Sequence, residues 1–365
     1  MGLFDFLKQP NPNTDFWSWF KKHERDFFKV LQEKGDIQEK LFDPLAERLS
    51  KIREGYFFLA GMHKGTAELI LTADGKIKNI PFIEDLVAAA PAIPGWNFLA
   101  AKPATLTESQ SIGMGDLRFD YQTLFFYANE DPQYPDKISI TVVHDQYTPE
   151  EREQMVMGVY IFLDSYLGEI KSATVIDAIE IAGREDAEKE LIPIYKLKAY
   201  IDWREKEFVE KYDGVNFDKE RDSYSGLTAE DPNGIPMLLV VNAGAMQYEY
   251  PASYPWILEY ILKYPDDDNA GLPGEKTMVL METIEEEIRT LLAGGDFMDI
   301  GRVTSENRRS IYFTCREFRG PVKAADVVSK KYEQQIEIEW DVYKDKYWQS
   351  LDIFRLENWN VEEIE

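Results

Sequence analysis

The sequence predicts an α+β protein of two domains, each an antiparallel sheet packed with helices. Three observations carry this. The chain has 365 residues, whereas single hydrophobic cores stop growing at roughly 250–300 residues. Its second half reads strand, strand, helix, strand, strand, helix, strand, an order that builds an antiparallel sheet with helices on one face. Residues 204–234 between the halves turn charged and then turn-rich. A boundary there predicts domains at 1–205 and 206–365.

In the first half, Pro10 and Pro12 mark a loop, and Thr14 or Asp15 is placed to cap a helix holding Phe16, Phe20, Phe27 and Leu31. Asp43-Pro44 supplies a capping oxygen and then a proline where a missing N–H costs nothing. Leu45, Leu49 and Ile52 follow at helical spacing, and Gly55 ends that segment. "YFFLAGM" and "TAELILTA" read as strands, the second running into Asp74-Gly75. An acid at a strand tip raises the question of a metal or phosphoryl site. Partner acids at neighbouring tips are needed, and Glu84 and Asp85 fall inside the next helical pattern, which Pro81 opens and Pro91 closes. Asp74 is therefore read as a turn-former, since Asp-Gly supplies the positive φ of tight corners.

"GWNFLAA", "LRFDYQTLFFYA" and "KISITVVHD" continue as strands. "TPEEREQMVMGVYIFLDSYLG" is the clearest helix: Thr148 as cap, Glu151 completing a capping box, a stripe of Met155, Val159, Phe162, Leu163 and Tyr166, and Gly168 as stop. Strands near "VIDAIEIAG" and "IPIYKLKAYIDW" complete the half.

In the second half, "IPMLLVVNAG" and "YPWILEYILKYP" read as strands, and "GEKTMVLMETIEEEIRTLLAGG" as a helix whose buried side runs through Met278, Met281 or Glu282, Ile284 or Glu285, Ile288, Leu291 and Leu292. "DFMDIGRVT" and "RRSIYFTCRE" form a hairpin across "SENR". A helix over "VKAADVVSKKYE" leads to the strand "IEIEW", and Tyr343, Tyr347, Leu351 and Phe354 repeat at helical spacing.

Charge and motifs narrow the function classes. The formal net charge is −26. Such a surface repels nucleic acid, which is bound largely through Lys and Arg, and anionic membranes; it tolerates a basic protein partner, and it equally serves simply to keep the protein in solution. The one cysteine, Cys315, reads as a buried structural thiol. The first residues lack the pattern of a signal peptide, Phe6 spoils a myristoylation motif, and no apolar run approaches the ~18 residues of a membrane span. A cytoplasmic protein is expected.

"DDDNAG" (Asp266–Gly271) starts like a calcium loop, but Ala270 and Thr277 stand where ligands belong. No two of His23, His63 and His144 are spaced as a helical zinc pair. His144-Asp145 has the residue types of an oriented base but no G-x-S-x-G elbow to serve. "GMGDLR" carries Arg118 where a dinucleotide loop needs its third glycine. Glu285–Glu287 read as the wet face of a helix. No catalytic residue, metal site or cofactor is assigned. Arg302, Arg308 and Arg309 form a basic cluster on the hairpin, placed either to neutralise nearby acids or to contact an anionic ligand.

The Tyr254-Pro255-Trp256 strand, Gly271-Leu272-Pro273 before the long helix, the Gly-Arg-Val-Thr hairpin and the closing aromatic segment together resemble the bacterial family called domain of unknown function 695, over roughly residues 222–354. "AELILTADGKIKNIPFIEDLVAAAPAIPGWNF" resembles segments of other uncharacterised bacterial proteins. The family resemblance implies a ferredoxin-like C-terminal fold, similar to that of acidic regulators that bind ribonuclease E, and implies no catalytic residues. The leading expectation is a non-enzymatic binding or regulatory protein acting through protein–protein contact. The alternatives are a metal-dependent hydrolase using carboxylates and a small-molecule sensor with its ligand between the domains.

Overall fold

A short polar side chain and a proline set where the first helix begins. In the computed structural model, which describes residues 11–230, 234–265 and 269–355, Asn11 rather than Thr14 or Asp15 caps helix α1 (Pro12–Glu33), its side chain accepting the Asn13 N–H. Asp43-Pro44 does not open its helix cleanly. A π-helical turn, Gln38–Phe42, runs straight into α2 (Asp43–Ser50). Pro44 has no N–H to donate back, and its ring crowds the preceding turn, which widens.

The chain divides into two compact units: Met1–Glu130 with Ile138–Trp203, and Asp131–Lys137 with Arg204–Glu365. The division falls within a helix.

In the first unit, β1 (Phe57–His63) and β2 (Thr66–Thr72) pair antiparallel. Asp74 and Gly75 both take positive φ, 51° and 78°, and turn the chain into α3 (Ile80–Ala88). It returns as β3 (Trp96–Ala100), parallel to β2. A small pair, β4 (Ile112–Met114) and β5 (Leu117–Phe119), precedes β6 (Leu124–Ala128) and β7 (Ser139–His144). Helices α4 (Arg152–Leu167) and α5 (Glu169–Val175) carry the chain to β8 (Ala178–Gly183), parallel to β7. β9 (Ile192–Pro193) then pairs with β6, and α6 (Leu197–Lys211) follows.

The α+β class holds, but the expectation of one antiparallel sheet here is corrected. Among the described residues of this unit the strands form three sheets, ordered β1-β2-β3, β4-β5 and β8-β7-β6-β9. Each parallel join spans a helical crossover, which a tight turn cannot replace. "LRFDYQTLFFYA" is two strands, because Asp120 Oδ1 accepts the N–H groups of Gln122 and Thr123 and turns the chain. "IPIYKLKAYIDW" is mostly helix. Thr148 and Glu151 bond to each other rather than boxing a helix start, and α4 begins only at Arg152.

The second unit has β10 (Tyr224–Glu230), β11 (Pro236–Asn242), α7 (Ala243–Met246), β12 (Trp256–Lys263), α8 (Glu275–Leu292), β13 (Phe297–Ser305), β14 (Arg308–Cys315), α9 (Arg319–Tyr332) and β15 (Glu337–Lys344). All six strands pair antiparallel in the order β10-β11-β13-β14-β12-β15. β10 lies in the stretch expected to be a charged boundary loop. Tyr343 belongs to β15, and Leu351 and Phe354 sit on a 3-10 helix, Gln349–Phe354, so the expected closing helix is shorter and tighter. That segment packs on one face of the sheet with Leu239, Val241, Ile257, Met298 and Ile300. Helix α8 lies on the other face and packs against α9.

Candidate functional site

The hairpin arginines are organised by a break in strand register. β13 and β14 pair regularly from Ser305↔Arg308 to Gly301↔Tyr312, and then Ile300 is skipped so that Asp299 faces Phe313. This bulge restores parity. Asp299 and Arg302 both point toward α8, while Met298 and Ile300 point into the opposite core. Gly301 allows the bulge: it takes φ 147°, and a Cβ there would lie 2.1 Å from the Val240 carbonyl oxygen. Glu306 and Asn307 take positive φ of 49° and 59° at the hairpin tip, the backbone of a two-residue turn.

Toward α8, three guanidiniums surround one carboxylate. Arg302 Nη1 donates to Glu285 Oε2 at 2.8 Å, Arg309 Nη1 to Oε1 at 3.3 Å, and Arg289 Nη2 to Oε2 at 3.3 Å. Arg289 Nε also donates to Asp299 Oδ2 at 2.6 Å. Arg309 is held further by Thr304 Oγ1 and the Met278 sulfur. The side chains of Glu285 and Arg309 are 1% and 2% exposed. Burial pulls the Arg309 guanidinium below the usual arginine range, with Glu285 opposing. Burial pushes the Asp299 carboxyl up, with Arg289 opposing. Arg308 is exposed at the hairpin end, opposite Lys263, and has no place in this cluster.

Sequence reasoning left Glu285 open, as an alternative to Ile284 on the buried side of α8 and as part of the wet run Glu285–Glu287. It lies on the buried stripe together with Met281, Ile284, Ile288 and Leu292. Its spacing from Met281 and Ile288 is the signal that places it there. What the cluster does chemically is tie α8 to β13 and β14.

In the first unit, Glu169 is a second sealed carboxylate. It accepts from Thr72 Oγ1 at 2.6 Å and from the backbone N–H groups of Gly75 and Lys102 at 3.1 and 2.9 Å. It thus binds the start of α5 to the ends of β2 and β3. Asp74 forms a 2.6 Å ion pair with Lys102, whose amino group lies 3.5 Å from Asp164. Burial works against the charge of Lys102, but the Asp74 hydrogen bond and the neighbouring carboxylates outweigh it and raise its pKa. The turn-forming reading of Asp74 stands.

His144 is fully buried. Its Nδ1 accepts the Gln146 N–H, which places the ring proton on Nε2, 2.8 Å from the Arg118 carbonyl oxygen. Asp145 pairs with Arg184 instead. Cys315 is buried, and burial raises its thiol pKa well above the usual range. Among the described residues no three His, Cys, Asp or Glu side chains gather as a metal-binding group. Asp266–Asp268 of the calcium-like motif, and Gly2 and Phe6 of the myristoylation reading, lie outside the described residues. Among the described residues no helix is long and apolar enough to cross a membrane.

The second unit's loop residue Asp136 accepts from Lys211 Nζ at 2.8 Å and from the Tyr212 and Tyr347 hydroxyls at 2.7 and 2.9 Å.

One open surface stands out. Helices α1–α3 cover one face of the β1–β3 sheet, where Trp17 and Phe20 meet Trp96 and Phe98 edge-on. On the other face Phe57 and Leu59 are 47% and 50% exposed. Ile70 and Leu99, cross-strand from Leu59 and from each other, lie half-buried beside them.

Fold and site together define an α+β protein whose buried ionic groups are spent on tying helices to sheets. Residues 229–353, within the second unit, match the model of a family of unknown function, DUF695. No curated protein and no solved structure matches the chain.

Proposed function

We propose that the protein is a non-enzymatic cytoplasmic binding protein that docks a partner protein on the open face of its β1–β3 sheet. The observation that carries this is the exposure of Phe57 and Leu59 beside Ile70 and Leu99, opposite the helix-covered face. A contiguous exposed apolar patch favours association. The chain's net charge of −26 sets the chemistry of the occupant: an apolar protein surface with a basic rim, steered in by the acidic field. The buried carboxylates support binding over hydrolysis, since Glu169, Glu285 and Asp299 are each engaged by the protein's own donors. The order β12-α8-β13-β14-α9-β15 is that of the ferredoxin-like motif, which hosts many functions and supplies no further evidence.

A comparative capture from lysate tests the proposal. The wild-type chain should retain a basic protein at low ionic strength and release it as salt rises. A Phe57→Ser/Leu59→Ser variant with an unchanged melting temperature should not retain it. Equal capture by both chains would remove the face from the argument.

A further inference from the structure

The six-stranded sheet treats its two edges differently. On the β15 edge, Glu337, Glu339 and Asp341 alternate outward, and Lys263 on the neighbouring strand bonds to Glu337 at 3.1 Å and Glu339 at 2.6 Å. Charges along a terminal strand keep other strands from adding to it. Among the described residues the β10 edge carries no such row of charges. Its seven residues, Tyr-Ser-Gly-Leu-Thr-Ala-Glu, contain no proline and no charge before Glu230. All seven pair in register with β11, so the strand is straight and regular. Tyr224, Gly226 and Thr228 are exposed on one face while Leu227 is buried on the other, and nothing lies within 4 Å of where a Gly226 side chain would begin. The uncharged stretch ends on the carboxylate of Glu230 and is preceded by Asp222, which follows Arg221 and accepts from Asn242 Nδ2 at 2.6 Å while staying exposed.

We infer that the outer edge of β10 receives an extended segment of a partner protein as a seventh strand, one with Lys or Arg at each end of a short uncharged centre. Main-chain hydrogen bonds to the free edge supply the affinity, as in other strand additions. The two bracketing acids, set in a chain of net charge −26, select basic ends. The same charge disfavours a second copy of this chain as the occupant, because two such chains repel. This inference rests on the second unit and is independent of the β1–β3 face.

The test uses the full chain and a fluorescein-labelled peptide, Lys-Thr-Val-Thr-Val-Thr-Lys, followed by anisotropy. Three controls accompany it: the peptide with Glu at both ends, the Lys peptide N-methylated at every residue of its centre so that both strand edges are blocked, and the Thr228→Lys chain. Saturable binding that weakens with salt is expected. Each control should weaken it by about tenfold or more, while Phe57→Ser/Leu59→Ser should leave it unchanged. Equal binding of the N-methylated peptide would show charge attraction without strand pairing and overturn the inference. So would equal binding by a folded Thr228→Lys chain, or a homodimer in sedimentation that this substitution dissolves. Should Thr228→Lys fail to fold, the N-methylated peptide on the wild-type chain decides the question.

Discussion

Glu285 on α8 and Arg309 on β14 meet at 3.3 Å, with both side chains almost sealed from solvent. Glu285 is the carboxylate that Arg309 bonds to, while Glu285 also has Arg302 and Arg289, and desolvating an ion costs several kcal/mol that only a close partner offsets. Glu285→Ala leaves Arg309 buried and uncompensated. We expect a loss of about 3–5 kcal/mol in urea unfolding. Arg302→Ala removes a contact nearer the surface, where water screens the charge, and should cost about 1 kcal/mol or less. Comparable losses from the two variants would mean that Glu285 is not the hub.

The Glu169 carboxylate accepts one hydroxyl and two backbone N–H groups. In Glu169→Gln, the amide NH2 turns a donor toward one of these donors. The expected cost is about 2–3 kcal/mol, against about 1 kcal/mol for Thr72→Val, which removes a single bond. Thermal and urea denaturation of both variants checks the ranking, and a Gln variant as stable as wild type contradicts it.

Asp136 predicts a specific acid limb. Burial pushes its carboxyl upward, but hydrogen bonds from Lys211, Tyr212 and Tyr347, with the Lys211 charge, outweigh this and hold it below the ordinary aspartate value of 3.8. The folded state therefore binds the proton less readily than the unfolded one. The stabilisation is fully present above that ordinary value and disappears as pH falls through the lower folded one. Melting temperatures recorded from about pH 5 to about pH 2 should fall less steeply in Asp136→Asn than in wild type. Parallel curves would show that Asp136 carries none of the acid sensitivity.

Gly158 on α4 lies under the Phe119 ring: an added Cβ would sit 2.1 Å from the ring's Cζ. Gly158→Ala should cost about 1–3 kcal/mol by forcing ring and helix apart. Gly61→Ala, where nothing lies within 4 Å, should stay within about 0.5 kcal/mol. Calorimetry on the pair separates crowding from a general intolerance of glycine replacement.

Local pattern alone determined much of this protein. Hydrophobic spacing located α1, α4, α8 and α9, because an amphipathic helix writes its period directly into the chain. Asp74-Gly75 announced its corner, since few other pairs accept two positive φ angles. The hairpin across Ser305–Arg308 and the family match over 229–353 were equally legible.

Only the tertiary structure decided strand order, the parallel joins β2–β3 and β7–β8, and the strand β10, whose Ser, Gly and Ala carry little strand signal by themselves. It also settled the choice between Ile284 and Glu285 by burying both, and left Leu291 43% exposed. The reason is that pairing and burial are settled between residues far apart in the chain. One skipped residue in β13 sends Asp299 and Arg302 to the same face, and three arginines from α8, β13 and β14 then make a carboxylate tolerable inside a core, which no window of neighbouring residues records.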